Sequence, residues 1–290
     1  MDQAERLRRL AAQTSSFQPK KARVVAVTSG KGGVGKTNFA VNVGIGLSRL
    51  GLRVGVLDGD LGLANIDIVL GIMPQFNLGD VLYGKKRLKE IVVPGPEGLL
   101  VLAGGSGVYE LANLSQWMLQ RFITEIRALD AHLDMLIIDT GAGISRNVMG
   151  FVLASDEVIV VTTPEVTAIT DAYGVIKLIA GQSPATRIRV VVNMARSDKE
   201  AENVVRSLRA VVGQFIRTDL KLDLLGRLPW DPAVTKAVQE QSPFYISYPG
   251  SKASHSVARI AAKLIEDRED AKHAGIGSLF ERVARIVRGG

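Results

Sequence analysis

The chain contains no cysteine among its 290 residues, which excludes disulfides, zinc ribbons and thiolate-ligated iron–sulfur clusters together. Aromatic residues make up only 5% and do not interleave with basic residues in the way that single-stranded nucleic-acid binding requires. Trp117, Trp230 and Tyr173 therefore read as packing residues, Trp230 being a weak exception because of the motif around it. Histidine is scarcer still. His132, His255 and His273 stand far apart without metal-ligand spacing, and no G-x-S-x-G nucleophile elbow is present. No apolar run approaches the roughly 18 residues of a membrane-spanning helix, and the amino terminus carries no signal-peptide-like stretch. A cytosolic protein is expected. With 47% hydrophobic and 22% charged residues, one large α/β domain is favoured over two small ones. The net charge of +7 permits attraction to nucleic acid or anionic lipid without choosing between them.

What the chain does have is concentrated in residues 29–42, SGKGGVGKTNFAVN. Gly30, Gly35, Lys36 and Thr37 carry the phosphate-cradling spacing G-x-x-x-x-G-K-T, entered by the apolar run Val24 to Thr28 and left by the helix-compatible segment Thr37 to Leu50. In such a loop, glycines let backbone N–H groups converge on phosphate oxygens and the following helix adds its positive end. The segment Gly30, Lys31, Gly32, Gly33, Val34, Gly35, Lys36, Thr37 and Asn38 is expected to hold ATP. Lys36 would reach the β/γ-phosphates and the Thr37 hydroxyl would ligate Mg²⁺.

Apolar runs near 23–28, 53–57, 99–103, 134–139, 157–161, 188–193 and 222–228 alternate with helical patterns. This predicts a mostly parallel sheet with helices on both faces, joined by right-handed crossovers. Ligands in such sheets lie at the carboxyl ends of the strands. Asp58 and Asp60 end the second run, and two residues apart in extended chain they point the same way, toward the metal and the γ-phosphate. Asp139 emerges from the buried run Met135–Ile138 to hold a water on Mg²⁺, and Gly141 and Gly143 then allow close approach of the backbone to the γ-phosphate.

Lys31 narrows the class, because an ordinary phosphate loop needs no cation there. KGGVGKT resembles the deviant Walker A motif of the MinD/ParA family, and VGVLDGDLGLANIDIVLG (54–71) resembles the switch I segment of its MinD-like members. The resemblance implies that Lys31 crosses a dimer interface to the partner's nucleotide, making ATP part of a homodimer that hydrolysis dissolves. It further implies that Asp58 supports the metal shell, Asp60 positions the attacking water, Asn193 meets the adenine edge, and Pro229 and Asp231 line base and ribose. Asp231 before Pro232 is equally a helix N-cap with proline in the first turn. The family's cysteine-dependent members, such as the nitrogenase iron protein and the thiol-using arsenite pump ATPases, are excluded.

The two ends divide the chain into an arm and linker (1–21), an ATPase domain (22–267), and a linker with a terminal helix (268–290). DQAERLR, residues 2–8, resembles the DQAxxLR element of the FlhG family (also FleN or YlxH), MinD-like regulators of flagellar number and placement. Asp2, Gln3, Ala4, Leu7 and Arg8 are the matching partner-binding positions, and the resemblance implies that Gln3 reaches the nucleotide site of the FlhF GTPase. Flagellar C-ring or transcriptional regulator proteins are further partners that it allows. In SLFERVARIVRGG, Leu279, Phe280, Val283, Ile286 and Val287 share one arc opposite Arg282, Arg285 and Arg288. A docked terminal helix would show the same arc. The polar linker and the terminal position favour an interfacial helix on an anionic membrane, and the tail resembles the membrane-targeting sequences of MinD and FlhG. The expected location is the cytoplasm and, reversibly, the inner face of the cell membrane. Three rivals share parts of this pattern: a division-site MinD without the arm, a ParA-type DNA segregation ATPase, and a dethiobiotin-synthetase-like ligase without a tail. Nucleic acid is disfavoured as a partner.

Overall fold

The computed structural model describes residues 21–60, 65–105, 110–111, 114–183, 186–215, 220–266 and 273–288. The arm positions Asp2, Gln3, Ala4, Leu7 and Arg8 lie outside the described residues, as does most of the second linker.

Eight strands form one sheet: β1 (Arg23–Ser29), β2 (Val54–Gly59), β3 (Val92–Pro94), β4 (Leu100–Leu102), β5 (Met135–Ala142), β6 (Glu157–Thr162), β7 (Arg187–Val192) and β8 (Leu222–Arg227). Their order is β3-β4-β2-β5-β1-β6-β7-β8. Every pairing is parallel except β3 with β4. The seven apolar runs are all strands. The short β3 escapes a periodicity reading because it has only three residues and ends in Pro94, which suits an edge. β1, β2 and β6 are buried along their whole length, as expected of parallel strands covered on both faces.

The described α-helices are α1 (Lys36–Arg49), α2 (Ile66–Leu70), α3 (Leu78–Leu82), α4 (Leu88–Ile91), α5 (Gln116–Arg127), α6 (Arg146–Ala154), α7 (Val166–Gln182), α8 (Asp198–Phe215), α9 (Pro232–Gln239), α10 (Phe244–Ser247), α11 (Lys252–Glu266) and α12 (Ile276–Arg288). One face of the sheet is covered by α1 and α11, the other by α5, α6 and α12 near its centre. At the lower end of the sheet, Glu157 pairs with both Arg23 and Arg189, and all three are buried.

The terminal helix departs from the free tail expected of residues 268–290. Helix α12 is docked on the domain, with Leu279, Phe280, Val283 and Val287 buried and Ile286 half-buried. Phe280 meets Phe122 of α5 and Phe151 of α6 edge-on, with ring centroids 5.1 and 6.2 Å away. Gly150 lets the helices close in, since a Cβ there would lie 3.1 Å from Val287. The physical reason is the groove itself. Phe122, Ile126 and Phe151 would be left wet without a cover, and burying four apolar side chains at about 1.5–3 kcal/mol each favours docking in water. Polar contacts fix the ends: Asp130 accepts from the backbone N–H of Ile276 at 2.9 Å, Arg127 pairs with Glu281 at 2.8 Å, and Arg288 donates to the Leu114 carbonyl at 2.6 Å. Among the described residues, no helix is long and apolar enough to cross a membrane.

Candidate nucleotide site

The loop between β1 and α1 follows directly from its glycines. Gly33 and Gly35 take φ of +78° and +87°, which a side chain would disfavour, and Gly35 sits at the start of α1. Gly30 is fixed by crowding, because a Cβ there would lie 2.2 Å from the backbone of Asp171 in α7. The cradle therefore lies at the carboxyl end of the sheet with the positive end of α1 behind it.

Lys36 is buried, and its Nζ donates to Asp139 Oδ1 at 2.8 Å. Burial pushes the Asp139 carboxyl above its usual value, while Lys36 and the Thr37 hydroxyl hold it down. Its second oxygen, Oδ2, is buried without a hydrogen bond of normal geometry. Asp58 and Asp139 are partners in the β2–β5 register, and the Asp139 charge adds to the proton affinity of Asp58, while the charge that raises Asp139 is that of Asp60. Asp58 is raised to about 6, first by burial and lastly by Asp139, against three opposing backbone bonds. It accepts from the N–H groups of Asp60 and Asn65 at 3.0 Å and of Ile66 at 3.3 Å. Asp58 thus also secures the start of α2, a structural duty that the sequence did not reveal. Asp60 reaches toward Gly141 near the end of β5: its Oδ1 lies 3.5 Å from where a Cβ on Gly141 would be.

Among the described residues no group of three His, Cys, Asp or Glu is arranged as a metal cage. Mg²⁺ needs none, since it is usually held by one or two carboxylates, waters and substrate phosphates. Thr37, Asp139 with its orphaned oxygen, and Asp58 are hard oxygen donors of that kind, and fit the ion.

The raised Asp58 gives a prediction for stability. The folded state binds this proton more tightly than the unfolded chain does, so stability falls as pH rises from about 4 to about 6, and the cost is fully present above that. The difference, about 2 pH units, corresponds to about 3 kcal/mol. Unfolding free energies of wild type and Asp58→Asn, both without nucleotide, should converge or cross as pH rises from 5 to 7, the wild type losing ground by about 1.4 kcal/mol, the half of the effect that falls above pH 5. A constant difference across that range would contradict the burial of a titrating Asp58.

Lys31 lies outside the cradle, its side chain 43% exposed, with Nζ 3.1 Å from Glu165 and 3.3 Å from Thr167. Asn193 sits over the loop rather than beside open space. Its Nδ2 donates to the Val34 carbonyl at 2.8 Å and its Oδ1 accepts from Met194 N–H at 2.9 Å. It braces the cradle, and the amide keeps one further N–H and one further oxygen lone pair. Asp231 is a double helix cap: Oδ1 accepts from Ala233 N–H at 2.9 Å in α9, Oδ2 from Ala253 N–H at 3.0 Å in α11. Of the two readings of this residue, the cap is the one seen here. Pro229 lines a cavity of about 820 Å³ with Trp230, Arg196, Arg227, Lys252 and Arg259. These cations are spread over 64 positions of sequence and formed no motif to find.

Residues 20–265 match the family model described as ParA, NUBPL iron-transfer P-loop NTPase. The antiactivator FleN of Pseudomonas aeruginosa is 42% identical over 87% of this chain and 89% of its own length. The flagellum site-determining protein YlxH of Helicobacter pylori is 34% identical over 91% of this chain and 90% of its own. Among solved structures, the septum site-determining protein MinD of Pyrococcus horikoshii, complexed with Mg-ADP, is 26% identical with a TM-score of 0.66, covering 85% of this chain and 96% of that one.

Proposed function

The chain belongs to the ParA/MinD family of P-loop NTPases, and from that premise we propose that it is an ATP-hydrolysing, ATP-dimerising regulator of flagellar number and placement. It works in the cytoplasm and, reversibly, on the inner face of the cell membrane. Its likeness to an antiactivator and a flagellum site-determining protein supports the flagellar role. A septum-placing role is the second reading, supported by the likeness to MinD and opposed by the DQAERLR arm.

The observation that carries the reading is Lys31. It is a cation one residue past the first glycine of the cradle, held by an exposed hydrogen bond to Thr167 and a half-exposed ion pair with Glu165, the latter of the kind worth about 0–1 kcal/mol. Turning outward to the phosphates of a second protomer's ATP would cost little. Within each protomer the N–H groups of residues 30–37 and Lys36 bind the phosphates, and Asp60 orients the attacking water and accepts its proton. Thr37, Asp58 and Asp139 would hold Mg²⁺, whose contribution is to neutralise charge on the β/γ-phosphates. Lys31→Ala should bind ATP with affinity near wild type but remain monomeric by light scattering in Mg-ATP. A Lys31→Ala dimer as stable as wild type would remove the sandwich.

Membrane attachment must be reconciled with a docked α12. Gly143 N–H donates to the Ser29 carbonyl at 2.8 Å, Ser145 caps α6, and α6 is the helix against which α12 packs most extensively. A change at Gly141–Gly143 on ATP binding is thereby passed to the groove that holds α12. Once released, two α12 helices on one dimer gain avidity of about 10²–10⁴ over one. The arm acts separately. A peptide of residues 1–20 should stimulate GTP hydrolysis by FlhF, and Gln3→Ala should lose most of that stimulation with binding retained, since a methyl cannot orient water. A peptide that neither binds FlhF nor changes its turnover would favour the septum reading.

A further inference from the structure

We propose that the β3–β4 edge of the sheet, with the adjoining turn at residues 83–87 and the start of α4, is a site for an anionic phospholipid of the bilayer. The proposal rests on the membrane reading above but concerns residues that reading does not use. Two features meet here. The first is a cavity of about 470 Å³, within the range of small-molecule sites, with an apolar floor of Leu88, Val92, Leu100 and Leu129 and a rim of Arg87, Lys89 and His132. One carboxylate, Glu125, also lines it.

The second is the turn beside it. Tyr83 and Trp117 are 48% and 69% exposed, and three cations lie over rings: Lys85 on Tyr83, Lys86 on Phe76 and Arg121 on Trp117. Gly84 ties the turn to α5, since a Cβ on it would lie 2.1 Å from the Arg121 guanidinium. Glu90, paired with Lys86, and Glu110, bonded to the Tyr83 hydroxyl, leave the positive charge in excess.

An exposed Trp and Tyr among lysines and arginines is the composition of a membrane–water interface, and cations near an anionic leaflet each strengthen binding by about fivefold. The apolar floor asks for an apolar guest and the rim for an anionic head. A nucleic acid would leave the floor unused, and an apolar peptide would leave the rim unused. A phospholipid with an acidic headgroup satisfies both. Helix α5 borders this site and, through Phe122, the groove of α12, so both membrane contacts would act through one helix.

The test uses the full chain in Mg-ATP with phosphatidylcholine vesicles, with and without phosphatidylglycerol. Wild type should bind only the acidic vesicles. Lys85→Glu with Lys89→Glu should weaken that binding at least about 25-fold, and Ala128→Trp, which fills the cavity mouth, should weaken it several-fold. Dimerisation and ATP turnover should stay unchanged in both. Part of the Trp emission, the part lost in Trp117→Phe, should shift to the blue on binding. Wild-type binding with unchanged variants would overturn the site and leave the membrane reading standing. Loss in the charge variant alone, with Ala128→Trp and Trp117 emission unaffected, would also overturn it, reducing the patch to diffuse attraction. Wild type that binds neither vesicle would overturn the membrane reading itself.

Discussion

Asp60→Ala protein in Mg-ATP should run as a stable dimer and hydrolyse ATP at least about a hundredfold more slowly than wild type, the usual scale for removing a group that orients the attacking water. The structure makes this a clean substitution. Asp58 holds the N–H groups of Asp60, Asn65 and Ile66, and its carboxylate stays in place when the half-buried Asp60, beside Gly141, is replaced. Removing it should leave the fold and nucleotide binding intact. Lys36→Gln is different in kind: it removes the phosphate-binding cation and also the buried partner of Asp139. Leaving that carboxylate uncompensated costs about 3–5 kcal/mol, so its loss of ATP binding must be read beside its unfolding curve. Light scattering and phosphate release distinguish the two. An Asp60→Ala protein that binds ATP yet stays monomeric would contradict the sandwich.

Phe280→Ala should destabilise the nucleotide-free protein by about 3–5 kcal/mol, the range for truncating a buried phenylalanine, and lower its unfolding midpoint by about 5–15 °C. Phe280 is 1% exposed and packs edge-on against two rings, so its removal opens a cavity at the centre of the α5–α6–α12 contact. Phe280→Asp should be worse, because it places a carboxylate among phenylalanines. A permanently free tail would give no change in midpoint for either variant, and calorimetry on the monomer decides between them. The same result redirects any vesicle experiment on Phe280: lost binding after Phe280→Asp has to be separated from lost folding.

The fold was legible because parallel strands announce themselves as short apolar runs, and seven of them fell between helical patterns. β3 was not, being three residues at an edge. The phosphate loop and the three aspartates were legible from motif spacing; Asp58 and Asp60 fall at the end of β2 as expected, whereas Asp139 lies inside β5, which runs on to Ala142. Side chains with two uses were not. Asp58 secures α2, Asn193 braces Val34, and Asp231 caps two helices, duties set by partners such as Asn65, Ala253 and Val34, which lie 7, 22 and 159 residues away. α12 shows the limit most plainly. An amphipathic arc specifies that a helix needs an apolar surface, but a membrane and a groove between Phe122 and Phe151 satisfy it equally.

Hydrogen exchange at the backbone amides of residues 276–288 tests the central claim most directly, comparing Asp60→Ala protein in Mg-ATP with the same protein in Mg-ADP, without vesicles. The account predicts strong protection in Mg-ADP, where α12 is docked, and its loss in the Mg-ATP dimer, while β1 and β5 stay protected in both. Equal protection of α12 in the two nucleotide states would contradict a nucleotide-released helix.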